Sequence, residues 1–337
     1  MLKKLIAGVV LVSSIVYASS EVNVYSHRHY DSDKQLFKMF EDKTGIKVNI
    51  VKAKANELMM RLEKEGKNSP ADIFITADVG RLYLAQSKGL FQKIDSQYLN
   101  ETIPEQLREK DGYWFGLTKR ARVIVYNKDK VKPSELSTYE DLTAPKWNKR
   151  VIIRKSSNIY NQSLLASMID SQGREKAKIW AEGIVKNMGR APTGSDRDQM
   201  KAVVAGVGDV AIVNTYYVGQ LLNSKKSNEV MVGKKMGVFF PNQGEGERGT
   251  HINISGAGVT LSSKNRDNAI KLLEFLASPE AQKVFAEANY EYPANPNVKA
   301  SKLIQSLGTF KEDSIELYKY GVYNAEAVKI FDEVNWK

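Results

Sequence analysis

The sequence contains no cysteine, so disulfides, thiolate metal sites, a cysteine nucleophile and a lipid-anchored cysteine are all excluded. Past residue 16, no apolar run approaches the roughly 20 residues that a membrane-spanning helix needs. The best-marked enzyme motifs are missing as well: no G-x-S-x-G elbow, no HExxH and no phosphate-binding P-loop occurs. Internal repeats and low-complexity tracts are absent. Acidic residues are the scarcer charge, 39 against 50 lysines and arginines, which leaves a formal net charge of +11. The bases are spread along the chain rather than clustered with interleaved aromatics, so nucleic acid is not expected as a partner.

What is present begins with Lys3 and Lys4, an apolar stretch over 5–16, and small residues at Ala18, Ser19 and Ser20. This pattern predicts a signal peptide over 1–18, cleaved near Ala18, where Val16 and Ala18 fit the small-residue rule. An exported chain with no anchor is retained only by an outer membrane, so a periplasmic protein that is not membrane-inserted is expected. Cleavage removes two lysines and no acid, taking the charge from +11 to +9. The remaining length, in a chain that is 42% hydrophobic, is ample for two lobes with separate cores.

Short apolar strands alternate with amphipathic helices at the start: strands over 22–26, 47–52 and 73–76 lead into helices over 34–42, 56–65 and 80–87. That alternation predicts an α/β architecture with a largely parallel sheet. The stretch YWFGLTKRARVIVYN at 113–127 is a longer strand-like run with no helix directly before it, suited to crossing between lobes. A second α/β set follows, with strands over 151–154 and 210–214 and helices over 158–169, 177–186 and 216–223. HINISGAGVTL at 251–261 is expected to return to the first lobe. Helices are expected over 268–277 and 279–288, and a helical tail over 313–332. The expected division places 19–119 and 245–295 in an N-terminal lobe and 120–244 and 296–337 in a C-terminal lobe.

Ligands of open α/β sheets gather outside the carboxyl ends of the strands, and three such turns carry tyrosine. Tyr30 follows the first strand, just before a helix that Asp31 or Ser32 could cap. Tyr160 follows strand 151–154; Tyr216 and Tyr217 follow strand 210–214, with Asn214 and Thr215 as plausible caps. Among 16 tyrosines a single one at a turn reads most simply as packing, but the adjacent pair is more informative. Neighbours in a strand point to opposite faces, whereas at the start of a helix they can converge. A phenol, with a pKa near 10, becomes a ligand once its proton is removed. A helix N-terminus favours that, and a trivalent cation at bonding distance favours it far more. Hard phenolate oxygens suit hard cations, which points to Fe(III) rather than zinc or copper(I). Four phenolates with a neutral imidazole exceed the ferric charge by one, so an arginine is expected nearby: Arg120 and Arg122 first, then Arg28.

Several stretches run through the mature chain as landmarks: YSHRHYDSDK at 25–34, ADIFITAD at 71–78, GLTKRARVIVYN at 116–127, APKWNKRV at 144–151, NTYYVG at 214–219, SPEAQ at 278–282 and EYPANP at 291–296. With them the chain resembles the periplasmic ferric-iron-binding proteins that feed ATP-driven importers, most closely the members that use several tyrosines with a histidine. SPEAQ and WNKRV mark only the broad solute-binding superfamily; the RHY element together with the YY pair is specific. The resemblance implies an α/β, two-lobe periplasmic solute-binding fold of the type II-like kind, with a hinge of crossing strands and the site in the interlobe cleft. It implies a ferric ion as cargo, an inner-membrane ABC permease as partner and a monomer. Residue by residue, it implies His29, Tyr30, Tyr160, Tyr216 and Tyr217 as metal ligands. His27, two residues before His29, competes for the imidazole role, while His251 reads as a packed or surface residue. Some relatives carry a glutamate ligand just after the threonine of the stretch matching DIFIT, where this chain has Ala77. Tyr30 would have to replace that charge, and relatives that need a bound carbonate or phosphate are a poor guide.

His29 and Tyr30 fall in the first α/β set and the other three in the second, so an ion held by all of them bridges the lobes. The rival reading is a binder of an oxyanion or a ferric chelate, gripping it with Ser156, Ser157 and helix N-termini. An enzyme has no motif to support it.

Overall fold

The structure, a computed structural model, describes residues 20–28 and 30–337. The expected signal peptide over 1–18 and the expected ligand His29 lie outside the described residues.

Three strand–helix units open the fold. β1 (Glu21–Ser26), β2 (Lys47–Lys52) and β3 (Ile73–Ala77) run parallel, and each leads into a helix: α1 (Asp31–Thr44), α2 (Ala55–Glu65) and α3 (Val79–Ser87). Val22, Val24, Ile73, Phe74 and Ile75 are buried, the β-branched and aromatic content expected of strands covered on both faces. α1 stops at Gly45, whose φ of 70° lets its amide turn back to the Glu41 carbonyl.

After α4 (Gln97–Thr102) comes β4 (Phe115–Asn127), buried along nearly all of its 13 residues. Its first half pairs antiparallel with β8 (Ile252–Val259) and its second half with β6 (Val210–Asn214) and β7 (Met236–Phe239). β5 (Val151–Ile152) lies parallel to β6, and β9 (Tyr292–Pro293) pairs with Thr118 and Lys119 of β4. The sheet order is β2-β1-β3-β8-β4-β6-β5. The partner of β4 changes between Ala121, opposite Ile252, and Arg122, opposite Asn214. β4 is therefore the crossing strand that its length and lack of a preceding helix suggest, and β8 is the returning one.

α5 (Ile159–Gln172), α6 (Arg174–Asn187), α7 (Asp196–Val204), α8 (Thr215–Leu222) and α9 (Ser227–Lys235) belong to the β5–β6 side, and α10 (Arg266–Ala277) and α11 (Pro279–Asn289) to the β1–β8 side. The chain ends with α12 (Lys302–Gln305), α13 (Lys319–Val322) and α14 (Asn324–Glu333); α13 packs against both α3 and α5. A distinct apolar cluster of Ala121, Val123, Val125, Met200, Val203, Val213 and Leu221 joins β4 and β6 to α7 and α8. The larger core covers both faces elsewhere.

The tail departs from the helix expected over 313–332. Residues 313–318 are not helical; the Asp313 amide donates to the Thr250 carbonyl and its carboxylate pairs with Arg248 at 3.0 Å, which tethers the segment before α13 begins. No helix among the described residues is long and apolar enough to cross a membrane.

Candidate metal centre

The four tyrosines sit at the starts of three helices. Tyr30 caps α1 in an extended conformation, with φ −79° and ψ 146°. Ser32 lies inside that helix and donates to Asn289 at 2.7 Å instead of capping it. Tyr160 is the second residue of α5, and Tyr216 and Tyr217 are the second and third of α8. All three helix ends carry partial positive charge, which favours an anion in their midst.

The rings converge. The Tyr216 hydroxyl donates to the Tyr160 oxygen at 3.3 Å, and the Tyr216 and Tyr217 ring centres lie 4.2 Å apart. Burial, and after it the neighbouring phenols Tyr160 and Tyr217, pushes Tyr216 well above the ordinary tyrosine pKa. Burial likewise raises Tyr217, with Tyr160 and Asp196 adding to it. Tyr30 is raised by burial and by Glu291, with Arg28 pulling the other way. Tyr30, Tyr216 and Tyr217 thus hold their protons until a cation arrives to take the oxygen.

Arginines supply the positive surroundings. The Arg120, Arg122 and Arg154 guanidiniums lie 5.4, 5.7 and 5.9 Å from the centre of the Tyr160 ring. Arg28 lies 4.9 Å from the Tyr30 ring and is held by Asp33 at 3.3 Å and Glu291 at 3.2 Å. Arg120 is buried; its Nη1 donates to Ser255 at 3.3 Å, while Nε and Nη2 have no hydrogen-bond partner. Burial works against the charge of Arg120, but Tyr160 and Asp78 outweigh it and raise its pKa. Arg122 is fully engaged at its two terminal nitrogens, donating to Asp196 at 2.7 Å and to Asn161 at 2.8 Å.

A cavity of about 610 Å³ walled by Tyr83, Trp114 and Tyr318 shares no wall with this cluster. Two of the polar groups there are partnered to each other or to backbone, Trp114 to Gln86 at 3.0 Å and Glu109 to the Asp111 and Tyr113 amides, and among the described residues the cavity brings together no cluster of buried charge like that at the tyrosines.

Residues 68–310 match the model of the bacterial extracellular solute-binding protein family. The chain belongs to that family. Iron uptake protein A1 of Synechocystis sp. is 51% identical over 317 residues, 94% of this chain and 88% of the relative. The structure of Trichodesmium FutA (IdiA) in complex with iron and citrate ligands matches with a TM-score of 0.91 at 51% identity, covering 94% of this chain and 100% of that one. The ferric binding protein from Campylobacter jejuni matches at 0.89 and 48% identity, with 94% and 100% covered. The fold is accordingly the two-lobe α/β architecture of these periplasmic iron-binding structures, and the relatives are uptake and binding proteins rather than enzymes.

Within this solute-binding fold, Tyr30, Tyr160, Tyr216 and Tyr217 come together with Arg28, Arg120 and Arg122, as their positions after strands suggest. His27 continues the line of β1, its amide donating to the Ile75 carbonyl at 2.9 Å. His251 is a core residue: it is buried, stacks on Tyr320 at 4.7 Å and is held neutral by burial and by nearby Arg248. Ser157 is exposed, and the Ser156 carbonyl accepts from Gln162 at 3.1 Å. Sequence reasoning misses Arg154, Asp78, Asp196 and Glu291. Arg154 ends the expected strand 151–154, so the rule that points to tyrosine at strand ends would also have found it. Asp78 closes the ADIFITAD stretch, one residue past Ala77. Asp196 and Glu291 carry no local signal, because their partners come from distant segments.

Proposed function

We propose that this chain is a periplasmic carrier, not an enzyme, that captures Fe(III) between two lobes and delivers it to an inner-membrane ABC importer. Tyr30, Tyr160, Tyr216, Tyr217 and His29 are the ligands in this reading. The observation that carries it is the convergence of three phenols from the starts of α5 and α8, with Tyr30 of α1 within electrostatic reach of Tyr160, among the buried guanidiniums of Arg28, Arg120 and Arg122 and the partly exposed one of Arg154. The lobes are 19–119 with 245–295 and 120–244 with 296–337, meeting where β4 changes partner. The iron-related names of the relatives support the choice of cargo.

The mechanism follows from the placement of these groups. An ion held by Tyr30 on one side and by α5 and α8 on the other favours the closed state by as much as its affinity differs between open and closed. Four phenolates over-neutralise Fe(III) by one charge, and the buried guanidiniums beside the Tyr160 ring, Arg120 with its Nε unpartnered among them, offset the excess. Release follows reopening by the importer, protonation of the phenolates, or reduction to Fe(II), which phenolates hold less well.

Titration with a ferric chelate of known strength tests the reading. Bound Fe(III) should give a phenolate charge-transfer band in the visible. Tyr160→Phe, Tyr216→Phe and Tyr217→Phe should each weaken binding and alter the colour, while Tyr126→Phe in β4 should do neither. Wild-type affinity and spectrum in all three site variants would sink the assignment. A ferric chelate is the second reading, favoured by the Arg120 Nε, which has no hydrogen-bond partner, and by the citrate in the Trichodesmium structure. Titrations with and without citrate separate the two.

A further inference from the structure

We propose that Asp196 is the positioning residue that sets the tyrosine of α5 against the tyrosine pair of α8; this rests on the Fe(III) reading above. Asp196 opens α7 and is fully buried. Its Oδ2 accepts from Arg122 Nη1 at 2.7 Å and from the backbone amide of Asn214, the cap of α8, at 2.9 Å. Its Oδ1 accepts from Arg154 Nη1 at 3.2 Å.

Each partner leads to a site helix. Arg122 continues through Nη2 to Asn161 at 2.8 Å, the residue after Tyr160, and through Nη1 to the Asn214 side chain at 3.2 Å. Asn161 in turn donates to the Arg154 carbonyl at 2.9 Å. One carboxylate thus fixes the start of α8 directly and the start of α5 through a single guanidinium. It also holds Arg122 and Arg154 beside the Tyr160 ring. A buried carboxylate between two guanidiniums that loses its charge leaves two like charges in a low dielectric, and they move apart.

The removal of that negative charge therefore has two consequences for bound iron. The spacing between Tyr160 and the Tyr216–Tyr217 pair changes, and the surroundings become more positive, which favours Fe(II) over Fe(III). Asp196→Asn keeps the shape of the side chain and removes its charge. Loss of an outer partner of metal ligands weakens metal binding by about 10–100-fold.

The experiment compares wild type, Asp196→Asn and Ser195→Ala by Fe(III) competition titration, the visible band and reductive titration of the loaded protein. Ser195 caps the same helix α7 through its Oγ and serves as the control for stability. Asp196→Asn should bind at least tenfold more weakly, with a shifted band and easier reduction. Ser195→Ala should melt lower while keeping the wild-type affinity and band. Wild-type behaviour of Asp196→Asn, or the same spectral shift in Ser195→Ala, overturns the proposal. If Asp196→Asn does not fold, Asn161→Ala, which cuts the link from Arg122 to α5 but keeps the Asp196 charge, should bind more weakly with a shifted band and unchanged ease of reduction; wild-type affinity and band there overturn the proposal. A wild-type protein that takes up no Fe(III) would instead overturn the functional reading on which the proposal rests.

Discussion

Tyr216 has almost no contact with solvent, and its phenol is harder to ionise than a free one because burial and two neighbouring phenols oppose the negative form. Tyr30 and Tyr217, half-buried, are also harder to ionise, Tyr30 through burial and Glu291 and Tyr217 through burial and Tyr160. Such a site binds a cation by exchange, each ligating phenol surrendering a proton as the metal arrives. Loading should therefore release about one proton per ligating tyrosine, which a pH-stat measurement, corrected for the iron source, can count. Fewer than two protons per iron would contradict a phenolate-rich site. Affinity should fall as the pH is lowered. For the metal-free protein the sign is set by folded-state pKa values that lie above the unfolded value of about 10. Neutral phenols stabilise the fold fully below that pH, and the contribution is lost as the pH rises through the folded values. Metal-free Tyr216→Phe should lose less stability than wild type above about pH 10, in thermal melts across that range; identical pH profiles would count against the buried phenol as the cause.

At the scale of elements, the junction of α3, α5 and α13 couples the β1–β8 side to the helix that carries Tyr160. Asp78, the cap of α3, adopts a φ of 83°, unusual for a residue with a side chain, and is fully buried. Its carboxylate accepts from the Gly80 amide at 2.9 Å, from Asn253 at 2.9 Å and from Ser163 of α5 at 2.8 Å. Ser163 lies three residues past Tyr160, about one helical turn along. Ser163→Ala should destabilise the protein by about 1–3 kcal/mol and leave the metal-free form more open, with a larger radius of gyration in solution scattering. An unchanged melting temperature and scattering curve would show that the contact does not couple the elements. Beside it, Gly321 admits the Tyr83 ring, which would lie 2.3 Å from a Cβ there.

How much of this was legible depended on the range of the interactions. Period and turn chemistry give β1 to β4, the long helices and the tyrosines at helix starts, because those signals are local. The straight helical tail fails because Arg248 and Thr250, more than 60 residues upstream, hold Asp313 in a non-helical segment. The short strands β7 and β9 escape notice because their pairing partner is β4 rather than a sequence neighbour, whereas α7 is missed although the Ser195 capping box announces it locally. The buried carboxylates Asp78 and Asp196 escape because most of their partners come from distant segments.

At the scale of the whole molecule, both halves share β4, and in the proposed carrier the closing of one on the other would be accommodated where that strand exchanges β8 for β6. The position of β8 has another consequence, in the order of synthesis. It lies between β3 and β4 in the sheet, yet it is made only after α9 and β7. A nascent chain that ends before residue 252 carries β3 and β4 with the strand that joins them still missing. Unpaired edges of that kind leave a chain open to other partners. A fragment of residues 20–245 should lack a cooperative melt and native near-ultraviolet circular dichroism, and a native-like melt would show that the β8 strand is dispensable for the rest. On this topology the pairing of β3 with β4 through β8 waits until residue 259 has been made, and β9 joins β4 only at residues 292–293, so for most of its synthesis the chain lacks the strand that joins its two halves.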